Sequence, residues 1–235
     1  MSTIQENIQL ILEHIKTCAQ QANRNPNDIT LLAVSKTKPT ADIYQAYLAG
    51  QRQFGESYVQ EAVEKINYFR QQNIDDIKWH FIGPIQSNKT KLIAESFDVV
   101  QSVDRIKIIK RLNEQRPTNL KPLEVLIQVN ISNEPQKSGA TFAELDSLIE
   151  EVNKSSNLTF KGLMGIAENT QDTHKICEEF LQLNSKFIQL KQQYPQIDTL
   201  SLGMSADMEE AILSGSTMVR IGSAIFGARN YSTNK

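Results

Sequence analysis

Ile29–Pro39 reads ITLLAVSKTKP, an apolar run that halts at a lysine. Pro39 cannot continue a sheet interior, so Leu31–Lys36 reads as a buried strand with Lys36 as its last residue. Period two puts Leu32, Val34 and Lys36 on one face, with Ala33 and Ser35 on the other. A charged lysine on a core-facing register is costly to bury. It either snorkels to water or is kept for chemistry. The turn that follows, SKTKPT, contains no glycine. That absence decides the architecture once the neighbouring segments are read.

Outward from this stretch, strand-like and helix-like patterns alternate. Strands are expected at Gln53–Gly55, Trp79–Gly83, Phe97–Val103, Leu123–Ile131, Leu158–Ile166, Thr199–Met204 and, last, Met218–Phe226. Helices are expected at Thr40–Gly50, Ser57–Arg70, Asn88–Glu95, Asp104–Gln115, Thr141–Asn153, Asp172–Gln193 and Met208–Ser214. Thr40 reads as an N-cap, and Thr141 with Glu144 has capping-box spacing. Each strand but the last is followed by a helix, which demands parallel pairing with crossover helices. An open doubly wound sheet carries a glycine-rich first turn, and this chain has none. A closed (β/α)8 TIM barrel, typically about 250 residues, is the expectation. No Pro/Gly/Ser-rich linker divides the chain, so residues 1–235 are expected to form one domain.

Ahead of the first strand, Ile4, Ile8, Ile11, Ile15 and Cys18 recur at helical spacing. This is an extra amphipathic helix within residues 1–24, packed on the barrel, with Thr3 as a candidate cap. It is not a signal peptide, and no apolar run approaches a membrane span. A cytoplasmic protein is expected, with mitochondrial import left open.

The 25 Lys+Arg against 27 Asp+Glu leave almost no net charge, so bulk basicity gives no nucleic-acid footprint. Cys18 and Cys177 read as free thiols in a reducing compartment. His14 and His174 fall on surface-type helices, with no cysteine or carboxylate at metal spacing; no metal site is expected. His80 alternates with Trp79 and Phe81 and reads as a satisfied core or rim histidine. Lys137, in the long polar loop Asn130–Gly139, is expected to be solvated.

In a TIM barrel the chemistry gathers at the C-terminal strand ends, where Lys36 and Arg220 share one mouth. The loops after strands seven and eight commonly seat a phosphate. Here they offer Ser205 before a helix, and Gly222–Ser223, where a bare backbone and a hydroxyl can approach an anion. Arg220, inside an apolar strand, offers donors only. It either pairs with Glu168, Asp207 or Glu209, or contacts a ligand such as an aromatic nitrogen. A lysine beside an arginine in an apolar mouth should have a lowered pKa, freeing its amine to attack a carbonyl. Aldehyde, ring nitrogen and phosphate together describe pyridoxal phosphate (PLP).

AVSKTKP (33–39), FGESYVQE (54–61), WHFIGPIQSNK (79–89), SLGMSADMEEAI (201–212) and STMVRIGSAIFG (216–227) resemble the pyridoxal phosphate homeostasis protein family. That family is similar to the barrel domain of alanine racemase. The resemblance implies Lys36 as the residue bound to the PLP aldehyde. It also implies Arg220 at the pyridine nitrogen, and Ser205, Gly222 and Ser223 near the phosphate. It further implies an often monomeric protein that carries or buffers the cofactor, with PLP-dependent apo-enzymes as candidate partners. The alternatives are a PLP-dependent amino-acid racemase or decarboxylase, and a Schiff-base aldolase acting on a sugar phosphate. One departure stands out: Ser57 occupies the place of the family's usual asparagine in Gly-Glu-Asn.

Overall fold

The computed structural model describes residues 3–132, 134 and 136–228. Eight parallel strands close into a barrel in the order of the sequence. They are β1 (Thr30–Val34), β2 (Gln53–Glu56), β3 (Lys78–Phe81), β4 (Val99–Val103), β5 (Leu123–Val129), β6 (Leu158–Gly165), β7 (Thr199–Ser201) and β8 (Met218–Ile221). The ring closes where β1 runs beside β8, with Leu32 opposite Arg220. Between them run α2 (Thr40–Leu48), α3 (Val59–Gln71), α4 (Thr90–Ser96), α5 (Ile106–Gln115), α6 (Leu145–Asn153), α7 (Thr173–Gln193) and α8 (Met208–Leu213).

Ahead of the barrel lies α1 (Ile4–Gln21), started by a reciprocal capping box between Thr3 and Glu6. Its apolar stripe, Ile8, Ile11, Ile15 and Cys18, is buried, and Asn7 Nδ2 donates to Ile225 O at 2.8 Å. The helix therefore packs on the barrel as its spacing predicts. The Thr141–Glu144 capping box also forms.

Period two sorts the strand residues into two environments. Leu31, Ala33, Phe54, Phe81, Val125, Leu163 and Val219 face outward and join the large apolar cluster shared with the helices. Leu32, Val99, Leu126, Met164 and Met218 are buried apart from that cluster, inside the ring. The same inward positions carry His80, Gln101, Ser201 and Arg220, so much of the interior is polar. At the β6–β7 contact, a Cβ on Gly162 (φ 144°) would meet Thr199 O at 1.9 Å. Only glycine lets the two backbones approach so closely.

Three local expectations need correction. β1 ends at Val34, and Lys36 sits two residues later in a turn, because Thr37 takes φ 64° and carries the chain off the sheet. Thr40 is the first residue of α2, and Pro39 occupies the cap position. The last segment is not all strand: β8 stops at Ile221 and a short helix, α9 (Ser223–Phe226), follows. The eighth βα unit is therefore completed.

Candidate functional site

Strand ends and the loops beyond them enclose a cavity of about 280 Å³ at the C-terminal end of the barrel. All five residues singled out in the sequence line it: Lys36, Ser205, Arg220, Gly222 and Ser223. Val34, Ile82 and Met204 supply an apolar wall. Lys36 lies in the turn just beyond Val34 and is half-buried. Ser205 and Ser223 are exposed at the opening, so their hydroxyls remain accessible.

Gly222 passes close under the end of β1. A Cβ there would lie 3.1 Å from Val34 O and 3.3 Å from Val34 Cβ, filling the floor of the cavity. Ser223 opens α9, whose first amides have no intrahelical acceptor. The cavity thus gathers hydroxyls, backbone N–H groups and an amine in one lining.

Arg220 is buried, and three of its hydrogen bonds go to protein oxygens. Nη1 donates to Ser201 O and Ser201 Oγ, both at 2.8 Å, and Nη2 donates to Gly165 O at 3.0 Å. Glu168, Asp207 and Glu209 make no ion pair with it, which removes the structural alternative considered for this residue. A guanidinium has five N–H donors. Nε–H and the second hydrogen on Nη2 therefore have no protein acceptor among the described residues. Burial lowers its pKa to about 10, with Asp207 opposing, so it remains cationic at neutral pH.

Lys38 also lines the cavity and was missed from the sequence. Its Nζ donates to Phe226 O and Ala228 O, both at 2.9 Å, tying the first βα turn to the last. The signal available was its place two residues beyond Lys36 in a strand-end turn.

Behind Lys36, on the outer side of the barrel wall, lies a buried charge network. Lys65 on α3 donates to Glu56 Oε1 at 2.8 Å, to Glu61 Oε1 at 2.5 Å and to Ser35 O at 2.8 Å. Ser35 Oγ donates to Glu56 Oε1 at 2.7 Å, and Thr37 N donates to Glu61 Oε1 at 2.6 Å. Both neighbours of Lys36 are therefore fixed by one ion cluster. Burial raises the Glu56 pKa, with Lys65 as the main opposing influence.

His80 has the interior role expected of it. Its ring nitrogens meet Gln53 Oε1 and Gln101 Nε2, both at 3.0 Å. Burial, reinforced by Lys78, lowers its pKa from 6.5 to about 3, so it is neutral at pH 7. The unfolded chain takes up this proton below about pH 6.5 and the folded protein does not. Stability therefore falls as pH falls from about 6.5 toward 3. The His80 contribution lost between pH 7 and pH 5 is about 2 kcal/mol. Urea unfolding of the wild type and His80→Gln at the two pH values will show a correspondingly shallower decline in the variant.

Two further expectations change. Lys137 is half-buried rather than fully solvated: it pairs with Glu134 and donates to Ala167 O at 3.1 Å. His14 does meet a cysteine and a carboxylate, since His14, Cys18 and Glu209 bring ligand atoms within 4.8 Å of one another. The first two are four residues apart on α1, a spacing the sequence displayed. Burial, followed by Glu209, raises the Cys18 pKa and favours the thiol over the thiolate that binds metals.

The alanine racemase N-terminal domain family matches residues 3–230. A pyridoxal phosphate homeostasis protein of Pasteurella multocida is 57% identical over 232 residues, covering 98% of this chain and 99% of its own length. One from Vibrio alginolyticus is 55% identical over 233 residues, covering 99% and 100%. The chain belongs to the pyridoxal phosphate homeostasis protein family. Among solved structures, PipY of Synechococcus elongatus PCC7942 with PLP bound is similar, with a TM-score of 0.80 and 32% identity. That match covers 96% of this chain and all of PipY. The family resemblance and the barrel expected from the sequence are thus borne out. No helix among the described residues is long and apolar enough to cross a membrane.

Proposed function

We propose that this protein binds pyridoxal phosphate covalently and reversibly at Lys36, and serves as a carrier or buffer of the cofactor without sustained turnover. The observation that carries the reading is the single cavity shared by Lys36, Arg220 and the Gly222–Ser223 turn. When bound, pyridoxal phosphate supplies an aldehyde that an amine can capture and a ring nitrogen that accepts a hydrogen bond.

The lining residues fit that group. Lys36 provides the amine. Val34, Ile82 and Met204 provide an apolar wall for a flat ring. Arg220 has N–H donors left over for a ring nitrogen. Ser205, Ser223 and the amides that open α9 suit a phosphate, and Gly222 leaves them room.

The same residues argue for holding rather than turnover. Arg220 can only donate, so it keeps a ring nitrogen unprotonated and the ring a poor electron sink. Racemisation needs a second acid–base group on the opposite face of the substrate. The other lysine at the cavity, Lys38, is occupied by two carbonyls of the closing turn. PLP-dependent apo-enzymes are the proposed recipients, the cytoplasm is the proposed compartment, and the 235 residues act as one domain and one monomer.

Incubation with pyridoxal phosphate should give a visible absorption band that borohydride bleaches, with the added mass on Lys36. A protein that stays colourless sinks the reading. Adduct formation with a sugar phosphate in its place would favour an aldolase, and sustained chirality loss or carbon dioxide release from amino acids would favour an enzyme. Ser223→Ala should weaken pyridoxal phosphate about tenfold while leaving phosphate-free pyridoxal unchanged. Equilibrium titration with both aldehydes checks this, and equal losses for the two would remove Ser223 from the phosphate seat.

A further inference from the structure

Arg220 is one end of a hydrogen-bonded chain that crosses the barrel interior. Its Nη1 donates to Ser201 Oγ at 2.8 Å, and Ser201 Oγ donates to Gln101 Oε1 at 2.8 Å. Gln101 Nε2 lies 3.0 Å from His80 Nδ1, and His80 Nε2 lies 3.0 Å from Gln53 Oε1. The five residues sit at inward positions of β8, β7, β4, β3 and β2. His80 and Gln53 line a second cavity, about 270 Å³, at the N-terminal ends of the strands. The chain therefore joins the two ends of the barrel.

Its direction is forced from one end. An arginine has no acceptor, so Ser201 Oγ must accept from it. The single hydroxyl proton then goes to Gln101 Oε1. This fixes the amide with its nitrogen toward His80, where it donates to Nδ1. The imidazole must then carry its proton on Nε2, which donates to Gln53 Oε1. Gln101 and Ser201 are fully buried and His80 is 2% exposed, so the middle of the chain is closed to water. Aligned bonds in such a setting also polarise one another.

We propose that Gln101 is a positioning residue: through Ser201 it holds the Arg220 guanidinium with its unused N–H groups facing the ring nitrogen of the bound cofactor. The role rests on the reading of the cavity as a pyridoxal phosphate site. Without an acceptor at position 101, the Ser201 hydroxyl loses its partner and its proton competes for the space of Arg220 Nη1. The fork is then held by backbone carbonyls alone and can swing away from the cavity. His80 acts at the far end, because a bare Nδ1 keeps the Gln101 amide from flipping.

The test compares pyridoxal phosphate with its 1-deaza analogue, in which carbon replaces the ring nitrogen. Wild-type protein should prefer the natural cofactor by about tenfold, the worth of one charge-assisted hydrogen bond. Gln101→Met, of similar volume, should reduce that preference to about twofold or less. Gln101→Glu, whose carboxylate still accepts from Ser201, should restore most of it. Packing damage alone would weaken both aldehydes equally and leave the ratio intact. An unchanged ratio in Gln101→Met overturns the proposal.

A second arm needs no cofactor. Nitrogen-15 NMR of the ligand-free protein should show His80 protonated on Nε2 and bare on Nδ1, and Gln101→Met should relax this to a mixture of tautomers. A proton on Nδ1 in the wild type overturns the directed chain. If neither aldehyde binds the wild type, the cofactor reading fails by itself, while the NMR arm still judges the chain.

Discussion

Lys36→Ala leaves no borohydride-fixed mass on the peptides that line the cavity and no saturable visible band at stoichiometric pyridoxal phosphate. The effect is all-or-none because no other amine at the cavity is placed to replace it. Lys38, two residues away, commits two of its three ammonium hydrogens to Phe226 O and Ala228 O. Lys38→Ala is therefore expected to keep the adduct on Lys36. Reversible, non-covalent binding should survive in Lys36→Ala, since Arg220, Ser205 and Ser223 are untouched. Lys36 is half-buried in a turn, so its truncation should cost the fold little. Intact-mass and peptide-level spectra after reduction decide the matter. An adduct that simply moves to Lys38 in the variant would remove Lys36 from its assigned role.

Lys65→Met is expected to cost about 3–5 kcal/mol of stability, the usual result of breaking a buried ion pair from one side. Glu56 is fully buried, and Lys65 is the main influence opposing the rise that burial imposes on its pKa. Methionine retains the length of the stem but strands the carboxylate with Ser35 Oγ as its remaining donor. Glu56 then takes up a proton in the folded state at a pH where the unfolded chain would release it. Its folded pKa lies above the unfolded value of about 4.3, so protonation favours the folded state in that window. The deficit relative to wild type should therefore shrink as pH falls toward that value. Denaturant midpoints for both proteins at pH 7 and pH 5 measure it. A deficit that is small, or that grows with acid, would show that the cluster is not held by Lys65. Because the cluster fixes Ser35 and Thr37, the variant should also capture pyridoxal phosphate more slowly at Lys36.

The barrel was legible because its evidence is periodic. Eight apolar stretches with helices between them leave few topologies, and the glycine-free turn after the first excludes the main rival. The five cavity residues were legible because a barrel gathers its strand ends at one mouth. What escaped depends on closure or on backbone detail. The Lys36 turn begins two residues early because Thr37 adopts a left-handed conformation that no glycine announces. Lys65 sits four residues after Glu61, as on any solvated helix face, and only the packing of α3 buries it. Gln53, Gln101 and Ser201 look like ordinary polar residues in short strands. Period two places each on the inward face, but only the closed ring brings them into bonding distance.

A chain of donors and acceptors whose polarity is dictated from one end resists piecemeal change. An apolar residue at position 101 orphans two buried neighbours at once, whereas removal of the imidazole as well relieves one of them. Paired replacements along the barrel axis should therefore be milder than their separate costs imply, a case of positive epistasis. Drift in this interior has to proceed by coordinated exchanges of donor and acceptor, while the leucines and phenylalanines outside the ring are constrained by volume alone.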